Sequence, residues 1–241
     1  MNLGEIVGYA NLKLGKDYQG GYITPDQLNS FILEAVNYEM MNRYIRVYER
    51  DRIITDDLRP FVETLGDNSV PPLPVDSYGY AILPDDYVGY TAVRVNTFQN
   101  TSCGTSEQLP RMVEMLNYDK FNYRVTSSVL KPRYTDPIGT IQNDKLYVQP
   151  ALYPSCIFSY IRKPLMAYFD YDIVNDEVVY LPPGEVHVNS SVEPTGSPSL
   201  SVEFEWPEQM DEELGDMIVK YYATNFRSEF NLQTLDLQKP A

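Results

Sequence analysis

Hydrophobic and polar positions divide the chain into stretches of different period. After a glycine-punctuated opening, Leu28, Phe31, Ile32, Ala35 and Val36 recur at three-and-four spacing, which predicts a helix. Thr24-Pro25-Asp26-Gln27 starts it, because a Thr cap followed three residues later by Gln is a capping box and Pro suits the first helical position. The pattern runs to about Arg50, which is about 26 residues or about 39 Å of helix. Its second half, Asn42 to Arg50, is basic and aromatic, and arginines in the last turns complement the negative end of the helix dipole.

From Tyr78 the period shortens to two. Tyr80-Ala81-Ile82-Leu83 reads as a short strand, and Thr91, Val93, Val95 and Thr97 alternate with Ala92, Arg94 and Asn96. Further strands are predicted at 145–149, 156–162, 177–181 and 185–189, separated by proline-bearing loops. In the last predicted strand Leu200, Val202, Phe204 and Trp206 face one way, and Ser201, Glu203 and Glu205 the other. Pro207 then opens a second helix, in which Met210, Leu214, Met217, Ile218, Tyr221 and Tyr222 form an apolar stripe to about Phe230.

These elements predict an α+β fold. A long N-terminal helix and a C-terminal helix pack together, with a central antiparallel β domain of sandwich or barrel type between them. The expected divisions are an arm at 1–23, a helical domain from 24–66 and 207–230, a β domain at 67–206 and a tail at 231–241. The arm reading rests on Gly4, Gly8, Gly15, Gly20 and Gly21, which interrupt its apolar residues. Both ends are expected to be mobile in the free chain and ordered in an assembly, the alternative for the arm being that it packs on its own domain.

Composition narrows the function. The 241 residues carry 34 acidic and 19 basic side chains, a net charge of −15, which argues against a sequence-independent binder of nucleic-acid phosphates. With 43% hydrophobic residues the chain can bury a core. Two cysteines, Cys103 and Cys156, build neither a disulfide framework nor a zinc cluster, and one histidine, His187, excludes a multi-histidine metal site. The opening residues lack a basic, apolar leader, and no run of 18 apolar residues occurs, so the expectation is a soluble chain folded in the cytoplasm. The 21 tyrosines suit both strand packing and wet protein–protein surfaces.

Candidate chemistry is sparse. Asp85 with Asp86, Asp170 with Asp172, and Glu203 with Glu205 are the acidic pairs a carboxylate hydrolase could use, but so acidic a chain produces such pairs by chance. Asp170, Asp172, Asn175, Asp176 and Glu177 form an oxygen-rich loop open to calcium, although it lacks the EF-hand glycine; a solvated turn is the simpler reading. His187 between Val186 and Val188 reads as a structural strand histidine. No phosphate-cradling glycine loop occurs, and the expectation is a protein without enzymatic activity, metal or cofactor. The strongest charge feature is Glu203 to Asp216, with Glu208, Asp211, Glu212, Glu213 and Asp216 and no basic residue. Acids in a first helical turn complement the dipole, and this segment exceeds that need.

Three segments carry a resemblance: Leu83-Pro84-Asp85-Asp86-Tyr87 after a strand, Tyr160-Ile161-Arg162-Lys163-Pro164 at a strand end, and Trp206-Pro207-Glu208 leading into the acidic helix to Ala223. In this order the chain resembles the ring or adaptor proteins of short-tailed bacteriophages, those of crAss-like phages in particular, and its layout over 25–230 is similar to the tail tubular protein A family. The resemblance implies a structural virion protein. It would form a ring, commonly of twelve subunits, in the head-to-tail connector, against the portal or other tail rings. Double-stranded DNA would pass through the channel without specific binding, and no membrane would be involved in the mature particle. Glu208, Asp211, Glu212, Glu213 and Asp216 are then the candidate channel-facing residues, because an acidic wall repels phosphate. Two alternatives stay open: a receptor- or glycan-binding tail appendage, and a carboxylate-based hydrolase of cell-wall or capsular sugars.

Overall fold

The structure, a computed structural model, describes residues 1–15, 23–67, 70–100, 106–175, 177–188 and 192–226. The expected tail at 231–241, residues 16–22 of the expected arm, Cys103 and Asp176 lie outside them. The fold is α+β, with helices at both ends of the described chain and antiparallel sheets between them. Contacts divide it into two units: Met1–Pro60 with Pro164–Ala241, and Phe61–Lys163. The expected β domain at 67–206 is therefore too long, because 164–206 packs with the helices.

Unit one begins with helix α1 (Leu3–Lys13), where the sequence suggests an arm. The signal is a second capping box: the Asn2 carboxamide oxygen accepts from the Glu5 amide at 2.8 Å, and the Glu5 carboxylate accepts from the Asn2 amide at 2.9 Å. Leu3, Ile6, Val7 and Ala10 are buried, so the apolar residues of this segment pack on their own unit. Gly4 is a point of close approach: a Cβ there would lie 2.6 Å from the Tyr180 ring. Helix α2 follows as predicted, with an α-helical first turn (Pro25–Gln27), a π-helical stretch (Leu28–Ile32) and a long α-helical part (Leu33–Asp51). Thr24 and Gln27 form the capping box, and Arg52 ends the helix in the left-handed conformation.

Unit two is a β-sandwich. Its strands are β1 (Val62–Leu65), β2 (Leu73–Pro74), β3 (Tyr80–Ile82), β4 (Tyr87–Asn100), β5 (Ser106–Met112), β6 (Glu114–Met115), β7 (Ile138–Gln142), β8 (Lys145–Gln149) and β9 (Ser155–Arg162). Helix α3 (Tyr118–Thr126) lies between β6 and β7. One sheet runs β1-β9-β4-β5, with β2 also on β9; the other runs β3-β8-β7-β6. Every pairing is antiparallel except β6 with β7. Val93, Val95, Phe158 and Tyr160 of the first sheet share one buried core with Ala81, Leu146 and Val148 of the second. The alternation predicted on β4 is present, since Val93, Val95 and Thr97 are buried while Ala92, Arg94 and Asn96 are half-exposed.

The chain then returns to unit one through the hairpin β10 (Tyr171–Val174) and β11 (Glu177–Tyr180). Of the strand expected at 185–189, the described residues 185–188 show a single bridge, Val186 to Pro198, and the one expected at 200–206 is reduced to a bridge between Val202 and Tyr168. The alternation there is inverted at its start: Ser201 is buried and Leu200 is 60% exposed. Ser201 turns inward because its hydroxyl accepts from the Asp170 amide at 2.9 Å and donates to the Leu181 carbonyl at 2.7 Å. A 3-10 turn (Glu208–Met210) leads into α4 (Asp211–Phe226), whose Leu214, Met217, Ile218 and Tyr222 are buried. Helices α1 and α2 both pack on α4, and Gly215 of α4 lies where a Cβ would stand 2.5 Å from the Tyr9 ring.

Candidate functional site

The acidic start of α4 is the site the sequence singles out, and the structure divides its five candidates. Asp211 is buried and paired with the Met1 amino group. Its place at the helix N-terminus favours a carboxylate, and the nearby ammonium offsets the cost of burying it. Glu213 pairs with Arg43 of α2, and Asp216 with Lys13 of α1. Glu208, Glu212 and Asp216 are exposed. Part of the acidic excess thus clamps α1 and α2 onto α4, a use of the charge that the sequence pattern does not reveal.

Next to this segment lies an open groove of about 450 Å³, lined by Ile6, Glu203, Phe204, Trp206, Glu208 and Asp211. Glu203 is engaged on both oxygens, accepting from the Tyr180 hydroxyl and from the Leu3 amide, each at 2.5 Å. Glu205 accepts from the Leu165 amide at 2.7 Å. A second open groove, about 350 Å³, is lined by Tyr38, Glu39, Asn42, Arg43, Arg46 and Tyr221. There the Glu39 carboxyl is held below its usual range, first by the Lys220 ammonium and then by the Tyr221 hydroxyl.

Unit one also holds an enclosed polar cluster of Asp170, Asp172 and His187. His187 Nδ1 faces Asp172 Oδ1 at 3.1 Å, and Nε2 faces Asp170 Oδ2 at 3.2 Å. All three side chains are buried. A neutral imidazole has one N–H, so it would set a lone pair against one of the carboxylates. The arrangement calls for imidazolium, and the His187 pKa is raised above 6.5, chiefly by the Asp172 hydrogen bond and further by Asp170, against the opposing effect of burial. Backbone amides also donate to the two carboxylates: Val188 and Leu200 at 2.8 Å, and Tyr171 at 2.9 Å. Asp170 and Asp172 of the oxygen-rich stretch therefore turn inward on the histidine. Among the described residues no group of three His, Cys, Asp or Glu side chains is arranged to hold a metal ion.

The first two resemblance segments meet in unit two. Tyr87 pairs with Arg162 in the β4–β9 register, the Lys163 amide donates to the Asp86 carbonyl at 2.7 Å, and the Tyr160 hydroxyl lies 3.1 Å from Asp86 Oδ1 and 2.8 Å from Glu63 Oε2. Asp86 of the Asp85–Asp86 pair is thus spent on a structural joint, and Asp85 is exposed.

The two units differ in charge. Unit one holds 24 acidic and 10 basic side chains, net −14, while unit two holds 10 and 9, net −1. Residues 164–219 contain 13 acids and no lysine or arginine. Among the described residues no helix is long and apolar enough to cross a membrane. The chain matches no protein-family model and no curated protein.

Proposed function

We propose that the protein is a structural subunit of an oligomeric ring, of about twelve copies, in the head-to-tail connector of a short-tailed bacteriophage virion. The observation that carries this reading is the joint between Leu83–Tyr87 and Tyr160–Pro164. These two segments, which carry much of the resemblance, engage each other through backbone pairing and the Tyr160 hydroxyl. They build the place where the chain leaves unit two, which is scaffold work rather than catalysis.

The charge partition supports the same reading. A unit of net −14 beside DNA repels the phosphate backbone, so a duplex can slide past without being held. Glu208, Glu212 and Asp216 are the exposed acids assigned to the channel wall or its rim, with no catalytic step, cofactor or specific DNA contact. The partners are further copies of the chain and the portal or adjoining tail rings.

A second reading, a glycan-binding tail appendage, draws on one specific feature. Tyr78 and Tyr80 stack at 6.2 Å, Tyr80 meets Tyr147 edge-on at 4.7 Å, and Tyr78 is 71% exposed. Such a platform suits the apolar face of a sugar ring. Negative-stain micrographs of the concentrated full chain separate the two. Closed rings with a central hole support the connector, and compact trimers support the appendage.

A further inference from the structure

We propose that neighbouring copies join head to tail, the turn after α3 of one copy docking on an inside-out β face in unit one of the next. The inference rests on the ring reading and names its contact. The acceptor is the pair of segments 185–188 and 196–200, joined by the isolated Val186–Pro198 bridge and by hydrogen bonds from the His187 amide to the Ser197 carbonyl and from the Ser199 amide to the Glu185 carbonyl. The inner face carries polar groups: buried His187 and Ser201, and Ser199 bonded to the Leu181 carbonyl. The period of two then sends Val186, Val188, Pro198 and Leu200 outward. Val186 is 50% exposed, Val188 63% and Leu200 60%. A segment that buries its histidine and presents its valines gains by covering that face.

Charge identifies what covers it. Exposed Glu185 belongs to the first acceptor segment and exposed Glu193 lies between the two segments in sequence, in a stretch without lysine or arginine. Unit two exposes the complement. Val129 is 80% exposed and Leu130 49%, and both amides are fixed by the Ser127 hydroxyl oxygen at 3.3 and 3.0 Å. Lys131 and Arg133 follow directly and are exposed. Each copy therefore offers an exposed apolar face with acidic neighbours and an exposed apolar turn with a basic flank. A symmetric contact between two acceptor faces would bring together two units of net −14. A face meeting a different face is the heterologous geometry that closes a ring.

The test uses two full-length variants followed by sedimentation velocity, with Trp206 fluorescence as the check on folding. Val186→Asp/Val188→Asp removes the acceptor, and Val129→Asp/Leu130→Asp removes the donor. Each variant alone is expected to be monomeric, and an equimolar mixture to form dimers and nothing larger, because one intact pair of surfaces remains. Glu185→Lys/Glu193→Lys is expected to weaken assembly about tenfold, with recovery on adding Lys131→Glu/Arg133→Glu. If wild type assembles and the variants assemble equally well, or their mixture stays monomeric, this contact is overturned while the ring stands. If wild type itself never assembles, the ring reading fails, and the contact with it.

Discussion

The Trp206 indole N–H donates to the Asn37 carboxamide oxygen at 3.0 Å, and the Asn37 amide in turn donates to the Leu165 carbonyl at 3.1 Å. One buried carboxamide on α2 thereby ties together the segment that returns from unit two and the segment that enters α4. Asn37→Leu would remove both hydrogen bonds of this bridge, an expected loss of about 1–3 kcal/mol. Trp206 is the single tryptophan, so urea unfolding followed by its fluorescence measures this directly. An unchanged midpoint would show that the bridge contributes nothing.

Stability should fall with rising alkalinity through His187. Its folded pKa lies above the 6.5 of an unperturbed histidine, so the folded state binds the proton more tightly than the unfolded one. The contribution is fully present below pH 6.5 and is lost as pH rises through the raised folded value. Because the chain has one histidine, its ring proton resonance reports the titration without assignment. An apparent pKa below 6.5 would contradict the imidazolium. His187→Gln should flatten the pH dependence of the urea midpoint.

The glycines of α1 should separate into opposite classes. A methyl group at Gly4 meets the Tyr180 ring at 2.6 Å, whereas at Gly8 nothing lies within 4 Å. Gly8→Ala is expected to stabilise by up to about 1 kcal/mol from helix propensity alone. Gly4→Ala is expected to destabilise despite the same propensity gain. Thermal melts of the two variants check the signs.

Cys156 should be inert in the native protein. Burial pushes its thiol up to about 12, from an ordinary value of 9.0, which lowers the thiolate fraction about a thousandfold. In a Cys103→Ser background a thiol reagent should label the chain only in denaturant. Rapid native labelling would show that the core around Cys156 opens.

What the sequence reveals is the periodic part of the fold. Thr24 and Gln27 announce α2, and Val93, Val95 and Thr97 announce β4, because each pattern is local and matches its burial. The misread stretches have causes of their own. Gly4 and Gly8 look like breaks in an arm, yet the Asn2–Glu5 capping box starts a helix, and Gly4 is small because Tyr180 packs against it. Residues 200–206 read as a strand, but Asp170 and Leu181 draw Ser201 inward. The acidic run at 208–216 is visible, while its pairing with Lys13 and Arg43, and the burial of Asp211, depend on partners some 170 or more positions away. His187 is legible as a strand histidine, but its clamp between Asp170 and Asp172 needs the hairpin to be formed.

Subunit number tests the central claim most directly. Native mass spectrometry of the full-length protein, concentrated at moderate salt, should give one dominant closed species of about twelve times the 27.7 kDa chain. A mass of one or three chains at every concentration would contradict the ring.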